Sequence, residues 1–491
     1  MSQATQNRMT KDMLLYLPAK IIEGLVGIYS ISFLTSKLTT GAYGDFLAIN
    51  TAVNFAFVIF CAWIQNSAVR FAVEQTSTSD GKKTFYTTMF VTWVCSTLPI
   101  LLIGAVAAAI SGKVILLLSS LMFFAYSSFQ MLSSVLIQLR KSAAYIILSL
   151  FSTCGKLFLV FLLTLNVPAE GASSPLAVIC AYSAIDIAAF LTAAVILGFF
   201  TNLSVKSFTK ENALRFAKYG FPLIGISFSI GLLNISDRFL VELLCGSESL
   251  AVYGANYSIA SSVFTMLMTG IMRAVYQPMI KALKDSGQEE AMKMLSGGVR
   301  LFLLVAVPAA AGLCALCRPI GELIFDKPEY MNGVISVVFV SIGMIFLGVT
   351  EYCNKPFEIV SNTLPILVSS FIAAAFNIVA NIVTLPIFGF IAAAVNTLLA
   401  YVLYFILAYV RGQRVLRWKF PLKSLIRILI SAAVCGIGAY LVTLLPIGTV
   451  AKLLLAVIVG ASAYAVMLIV LREADNELAM IKSLLKKFKK V

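Results

Sequence analysis

Residues 219–259 read YGFPLIGISFSIGLLNISDRFLVELLCGSESLAVYGANYSI. This stretch carries an apolar run of membrane-crossing length that begins after Lys218, with Asp237 and Arg238 side by side and Glu242 one turn later. A charge at the centre of a membrane helix costs roughly 2.5–3.5 kcal/mol on insertion scales, so it usually faces a protein interior or a wet cavity and usually has a function. The stretch therefore predicts a membrane helix whose charged residues have a function.

The remainder of the chain has the composition of a membrane protein. Of its 491 residues, 60% are hydrophobic and 12% are charged, against about 25% charged residues in an average soluble domain. The mean hydropathy is +0.96. A soluble protein of this length could not cover so large an apolar core, so we expect an all-α polytopic membrane protein. The net charge of +15 then indicates basic cytoplasmic loops rather than a nucleic-acid partner.

Fourteen apolar runs are long enough to span a bilayer, which takes about 20 mostly apolar residues. They cover residues 13–36, 43–66, 84–110, 114–138, 143–166, 175–200, 219–243, 251–278, 298–325, 332–352, 361–386, 388–410, 424–445 and 450–471. Threaded in alternation, they leave 28 of the 37 Lys and Arg residues on one side and five on the other. Positive residues gather on the cytoplasmic side, so both termini are predicted to be cytoplasmic.

A weak internal repeat divides the runs. Tyr-Gly pairs open the second and eighth runs, and Pro18 and Pro222 lie near the starts of the first and seventh runs, where they are hinge candidates. We expect two six-helix lobes related by a pseudo-two-fold axis along the membrane normal. The predicted divisions are an N-lobe at 1–205, a C-lobe at 206–411, two appended helices at 412–471, and a basic amphipathic tail at 472–491 that rests on the anionic cytoplasmic leaflet.

Four cations remain inside the runs and form a ladder from the cytoplasmic to the outer side. They are the candidate substrate-binding residues Lys20, Lys156, Arg238 and Arg273. Such a ladder suits an anion, because each cation offers it a partner where water is scarce, and arginine grips phosphate with two hydrogen bonds. The acids Asp186 and Asp237 are candidates for binding a coupling ion. Paired structural charges are the alternative, above all for Glu23 and Glu242.

Four stretches resemble the Wzx-type polysaccharide flippases of the multidrug/oligosaccharidyl-lipid/polysaccharide (MOP) exporter superfamily. They are Tyr219-Gly-Phe-Pro-Leu, Leu233-Asn-Ile-Ser-Asp-Arg-Phe-Leu, Val252-Tyr-Gly-Ala-Asn-Tyr, and the stretch from Asn377 through Asn381 to Ala394. The resemblance implies a V-shaped pair of lobes that opens alternately to each side of the bacterial cytoplasmic membrane. It also implies a substrate of oligosaccharide on undecaprenyl pyrophosphate, partners such as a polysaccharide polymerase and glycosyltransferases, and coupling to an H⁺ or Na⁺ gradient.

Other functions remain open at this point. Within the same superfamily, the alternatives are a lipid II flippase and a cation-coupled multidrug exporter. Outside it, a membrane glycosyltransferase or polymerase acting on polyprenyl-linked sugars is the rival. We expect no enzyme, because the sequence contains no histidine, no Walker motif and no sizeable outer loop with catalytic acids. We also expect no metal or organic cofactor, since the Cys314-x-x-Cys317 spacing has no second pair to complete a zinc site.

Overall fold

The computed structural model describes residues 22–165, 171–360 and 362–475. In this part of the chain the regular elements are helices, joined by one isolated bridge between Leu38 and Ala172. The helices are α1 (22–37), α2 (Thr40–Phe60), α3 (Ala62–Gln75), α4 (Ser79–Ser111), α5 (Val114–Gln138), α6 (Ser142–Leu163), α7 (Leu176–Leu197), α8 (Lys210–Cys245), α9 (Ser247–Ser286), α10 (Gln288–Ile324), α11 (Ile335–Cys353), α12 (Lys355–Ile359), α13 (Leu364–Phe388), α14 (Ile391–Val415), α15 (Leu422–Thr443) and α16 (Thr449–Val470).

These helices confirm the predicted all-α polytopic fold. Twelve spans, one of them α11 together with α12, are long and apolar enough to cross a membrane, and the bent α8 makes a thirteenth. The first predicted span, 13–36, begins outside the described residues and ends within α1. The expected number of about fourteen spans is therefore consistent with the described helices.

The apolar faces of several helices point outward, as hydrocarbon solvent requires. In α4, the most apolar stretch has almost no buried residues. Ile110 in α4 and Leu243 in α8 are both more than three-quarters exposed. A soluble protein rarely exposes contiguous apolar area on this scale, so these faces indicate contact with lipid.

Local sequence fixes where the helices begin and end. Thr39, Thr78 and Thr209 cap α2, α4 and α8, and each side-chain oxygen accepts a hydrogen bond from a backbone N–H of the first turn. Gly246 connects α8 to α9 with φ at +86°, a backbone conformation that residues with a Cβ rarely adopt. This glycine permits two long helices to follow one another across a single residue.

Contacts group the chain into two compact units. The first comprises Met1–Gly254 with Ser370–Phe390, and the second comprises Ala255–Ser369 with Ile391–Val491. The predicted lobes at 1–205 and 206–411 stay a prediction, because contact grouping records which helices touch and not which helices are related by a repeat.

An aromatic core holds α4, α5 and α7 of the first unit together. Trp93 is buried at 2% exposure, and its indole N–H donates to Ser127 Oγ at 3.0 Å. Phe124 and Phe190 pack on the same indole, with ring centroids 4.6 Å and 6.1 Å away. Because the one polar atom of the indole is satisfied, this large ring can be buried without cost from its N–H.

Two broken helices pack side by side in the first unit. The chain breaks between α2 and α3 at Cys61, and α8 bends by 42° between its segments Lys210–Gly225 and Ser227–Cys245. Trp63 of α3 stacks on Phe221 of the earlier segment, and Phe55 of α2 contacts Phe239 of the later one. The bend lies about one turn after Pro222, whereas the backbone hydrogen bond that this proline lacks would have reached residue 218, one turn before it.

Glycines bring these helices to unusually short separations. A Cβ on Gly220 would lie 2.4 Å from the carbonyl oxygen of Trp63, and one on Gly254 would lie 2.6 Å from Leu47. A Cβ on Gly44 would overlap the backbone of Ser247. The two Tyr-Gly pairs that mark the sequence repeat therefore lie at close helix contacts, Gly44 against backbone and Gly254 against a side chain, as small residues allow in membrane helix packing.

The two helices after residue 412 pack along α10 in the second unit. Leu316 of α10 forms a cluster with Ala439, Val442 and Ala456. Beyond α16, the buried Glu473 pairs with Arg300 of α10 at 2.6 Å and with Arg427 of α15 at 3.3 Å. The pair α15–α16 is thus attached to α10 by an apolar contact and by an ion pair.

We expect Gly220→Ala to destabilise the protein, because the new methyl group meets the Trp63 carbonyl at 2.4 Å and backbone must shift. Overpacking of this kind costs about 1–3 kcal/mol. Thermal denaturation in detergent, followed by size-exclusion chromatography, measures the effect. The matched control is Gly231→Ala in the same helix, where a Cβ would meet only Val58 at an ordinary 3.6 Å. Equal melting temperatures for the two variants would contradict the close approach.

Candidate functional site

The first candidate site is an ion pair near the middle of α6 and α7. Lys156 Nζ lies 2.7 Å from Asp186 Oδ1. Asp186 is 2% exposed and the Lys156 side chain is 18% exposed. Both residues stand near the centre of 22-residue helices, so the pair lies at a depth where isolated charges are expensive.

Neighbouring side chains hold this pair in place. Ser152, one turn before Lys156 on α6, donates to the same Asp186 Oδ1 at 3.0 Å. The ring of Tyr182, one turn before Asp186 on α7, lies 5.1 Å from the ammonium, within cation–π range. Gly155 allows the two helices to approach, since a Cβ there would lie 3.2 Å from Ile185. One carboxylate oxygen of Asp186 is therefore held by two donors of α6.

A second acid contacts the same face of α6. Glu23 of α1 accepts a hydrogen bond from Ser149 at 2.6 Å. Ser149, Ser152 and Lys156 are spaced three and four residues apart, which places them on one helix face. Lys20 and the hinge candidate Pro18 lie outside the described residues, so the innermost rung of the predicted ladder stays a prediction.

The second candidate site is a buried polar network around Asp237 in α8. Asp237 is 1% exposed and accepts a hydrogen bond from the hydroxyl of Tyr253. Ser236 donates to Asn377 Oδ1 of α13 at 3.0 Å, and Asn381 donates to the same oxygen at 3.0 Å. Both asparagines are fully buried. Buried hydrogen bonds thus join α8 to α9 through Asp237 and Tyr253, and α8 to α13 through Ser236 and Asn377.

Arg238 lies in the C-terminal third of α8, a few residues before the helix ends. Arg238 is partly buried, and its backbone N–H donates to Asp237 Oδ1 at 2.7 Å. Glu242, one turn further, accepts from Ser247 at 2.8 Å across the turn into α9. This contact ties the Ser247 hydroxyl to the end of α8 beside the tight Gly246 turn.

Two other predicted residues have described backbones only. Arg273 lies within α9 in the second unit, and Pro222 lies within α8 in the first. The structure places neither side chain among its described contacts. Their roles as a substrate-binding cation and as a hinge stay predictions.

Sequence reasoning missed some members of both networks. Tyr182 and Ser152 gave no signal beyond sharing a helix face with Asp186 and Lys156, at spacings of four residues. Asn377 and Asn381 are four residues apart and so share a face of α13, but the contact of Asn377 with Ser236 depends on tertiary packing. Tyr253 belongs to a Tyr-Gly pair of the sequence repeat, which gives no sign that its hydroxyl donates to Asp237.

A further charge cluster lies in the second unit. Lys355 is 8% exposed and its ammonium lies 2.7 Å from Glu358 and 5.2 Å from the Tyr276 ring. Among the described residues, no group of three or more His, Cys, Asp or Glu side chains is placed to hold a metal ion. The cysteines of the C-x-x-C spacing, Cys314 and Cys317, are both free.

Comparison with known proteins follows from this fold. The chain matches the structure of the lipid II flippase MurJ in an inward closed conformation with a TM-score of 0.73, at 15% identity over 94% of this chain and 99% of that chain. It also matches an inward-facing multidrug resistance MATE family transporter of the MOP superfamily (TM-score 0.62, 8% identity, 81% of this chain and 97% of that chain). A MOP superfamily transporter from Pyrococcus furiosus matches with a TM-score of 0.55, at 10% identity over 83% and 94% of the two chains.

The fold is therefore that of a multi-pass membrane protein and is shared with the lipid II flippase MurJ and with transporters of the MOP superfamily, as the resemblance around Asp237 and Arg238 implies. Residues 9–284 match the sequence profile of a family described as "Polysaccharide biosynthesis protein". The chain belongs to this polysaccharide biosynthesis protein family. A sequence search of curated proteins gave no match. The Wzx-type specificity stays a prediction.

We expect Lys156 and Asp186 to be strongly coupled in stability. Lys156→Met and Asp186→Leu each leave one buried charge without its partner, which costs about 3–5 kcal/mol, whereas replacing both partners with apolar groups is often neutral. A double-mutant cycle on thermal stability in detergent measures this coupling. If the double variant is as unstable as the sum of the two single variants, the ion pair contributes nothing to the fold.

Proposed function

We propose that the protein flips a polyprenyl-pyrophosphate-linked oligosaccharide, a polysaccharide precursor, across the bacterial cytoplasmic membrane. Membership of the polysaccharide biosynthesis family supports the substrate class. The single observation that carries the proposal is a lysine near the middle of a predicted span, Lys156, whose ammonium pairs with the buried Asp186. The protein acts as a transporter and catalyses no covalent step.

A pyrophosphate–sugar head group cannot cross hydrocarbon without partners, because unpaired charge is expensive there. Cations at several depths provide successive partners. In this proposal Lys20 and Arg273 bind the head group first, Lys156 binds it near the bilayer centre, and Arg238 binds it last. The polyprenyl chain stays in lipid while the lobes move by alternating access, with Pro18 and Pro222 permitting their helices to bend.

Ion coupling is the second part of the proposal. Asp237 supports it, because a fully buried carboxylate that accepts from the Tyr253 hydroxyl offers an oxygen ligand for Na⁺ or a site for H⁺. Asp186 is the other candidate. Both termini lie in the cytoplasm in this orientation, since it places 28 basic residues on the inner side.

A lipid II flippase is the second candidate function. It is favoured by the likeness to MurJ, which extends over 94% of this chain and so includes the region of α15 and α16. The two functions share a polyprenyl pyrophosphate and differ in the sugar. A multidrug exporter of cations is less favoured, because cations such as Lys156 and Arg238 lie in the spans where an acidic site would be needed. A membrane glycosyltransferase would need catalytic groups in outer loops, which the sequence lacks.

We expect Lys156→Gln and Arg238→Gln each to lower flipping of a fluorescent undecaprenyl-pyrophosphate oligosaccharide about tenfold or more, since one charge-assisted hydrogen bond to phosphate is worth roughly 1.5–3 kcal/mol. The assay uses the full chain in proteoliposomes and accessibility of the fluorophore to a membrane-impermeant quencher. Lys113→Gln, outside the spans, is the matched control and should transport normally. Preferred transport of lipid II by the wild type would favour the second candidate function. Unchanged transport by both span variants would overturn the cation ladder.

We expect Asp237→Asn to separate transport from the coupling ion. In the same proteoliposomes, an imposed Na⁺ or pH gradient should accelerate the wild type, and the variant should not respond, because it lacks the buried charge that attracts the ion. Glu289→Gln, an exposed acid at the start of α10, should respond like the wild type. Acceleration of the Asp237 variant by the same gradient would show that the coupling ion binds elsewhere.

A further inference from the structure

The ion pair in the first unit joins two residues for which the sequence suggested separate roles. Lys156 is the mid-membrane cation for an anionic head group, and Asp186 lies 2.7 Å from its ammonium. A phosphate oxygen and the Asp186 carboxylate would compete for the same positive charge. An ammonium beside its aspartate still has donors for a phosphate, but it offers its full positive charge only after it moves away from the carboxylate.

The two partners are unequal in freedom. Asp186 is almost fully buried, and its Oδ1 also accepts from Ser152 at 3.0 Å. Lys156 carries its charge on a flexible four-carbon stem with three donors, and its side chain is nine times more exposed than that of Asp186. The carboxylate is the fixed partner and the ammonium is the one that can move.

The surroundings preserve both groups when the pair opens. Ser152 remains bonded to the carboxylate, since it donates from the same helix independently of Lys156. The Tyr182 ring lies 5.1 Å from the ammonium and can stabilise a displaced cation on its face. The open state of the pair therefore retains one partner on each side.

We propose that Asp186 is a built-in competing anion that returns Lys156 to the ion pair and so releases the phosphorylated head group. This inference rests on the proposed function. A transport site must bind its substrate strongly enough to admit it and weakly enough to let it leave. A site with Lys156 free would bind a pyrophosphate more tightly and would release it more slowly. Asp186 is thus a positioning residue that sets affinity without touching substrate.

The test is an affinity measurement on the full chain in lipid nanodiscs, with undecaprenyl pyrophosphate as the probe and undecaprenol as the blank. We expect Asp186→Asn to bind the probe about tenfold more tightly than the wild type, because the fraction of protein with a competent lysine rises. In proteoliposomes the same variant should show a lower KM and a lower kcat. Lys156→Gln should bind about tenfold more weakly, and Lys156→Gln with Asp186→Asn should bind like Lys156→Gln alone.

A matched control is available in the second unit. Glu473 is a buried acid that pairs with Arg300 at 2.6 Å, and its arginine partner shows a similar exposure to Lys156. Glu473→Gln should leave probe affinity at the wild-type value. Tighter binding in this variant as well would indicate a general effect of loosening an ion pair and would overturn the specific competition by Asp186.

The outcomes separate the two proposals. If the wild type does not prefer undecaprenyl pyrophosphate to undecaprenol, the proposed function fails. If the wild type prefers it but folded Asp186→Asn binds equally or more weakly, the competing-anion role alone is overturned.

Discussion

Hydrocarbon offers no hydrogen-bond partners, and this constraint shapes the whole protein. Backbone groups within the bilayer must be satisfied inside each segment, which leaves helices as the available element for a chain of this kind. The same constraint acts on side chains. Lys156 and Asp186 lie at mid-membrane depth as a pair, and Asp237 lies against the hydroxyl of Tyr253. Charges persist in the spans where a neighbour supports them.

Close packing is the second consequence. Membrane helices gain little from hiding apolar area, since lipid is as apolar as their side chains, so they depend on close contact and polar bonds. Gly220 against Trp63 and Gly44 against Ser247 bring helices together at backbone distance in the first unit. The bend in α8 and the break at Cys61 lie in helices that pack against each other. Bent and interrupted helices suit a protein that changes conformation.

The polar networks give the shared fold its individual chemistry. MOP folds are common to a lipid II flippase and to multidrug transporters, so the fold by itself leaves the substrate open. Buried cations favour an anionic lipid head group, and family membership favours polysaccharide synthesis. In the proposed mechanism, the ion pair between Lys156 and Asp186 sets how strongly this lysine binds the head group.

The sequence by itself determined the fold class and the approximate positions of the spans, because run length is a property of the linear chain. The orientation that the asymmetry of basic residues indicates stays a prediction. The sequence also identified Lys156, Asp186, Asp237 and Arg238, since a charge inside an apolar run is visible without coordinates. Tertiary structure decided which of these charges meet: Asp186 lies 30 residues from Lys156, and Asn377 lies 141 residues from Ser236. Periodicity places a residue on a helix face but says nothing of which helix that face meets, so partners across helices emerged only from packing.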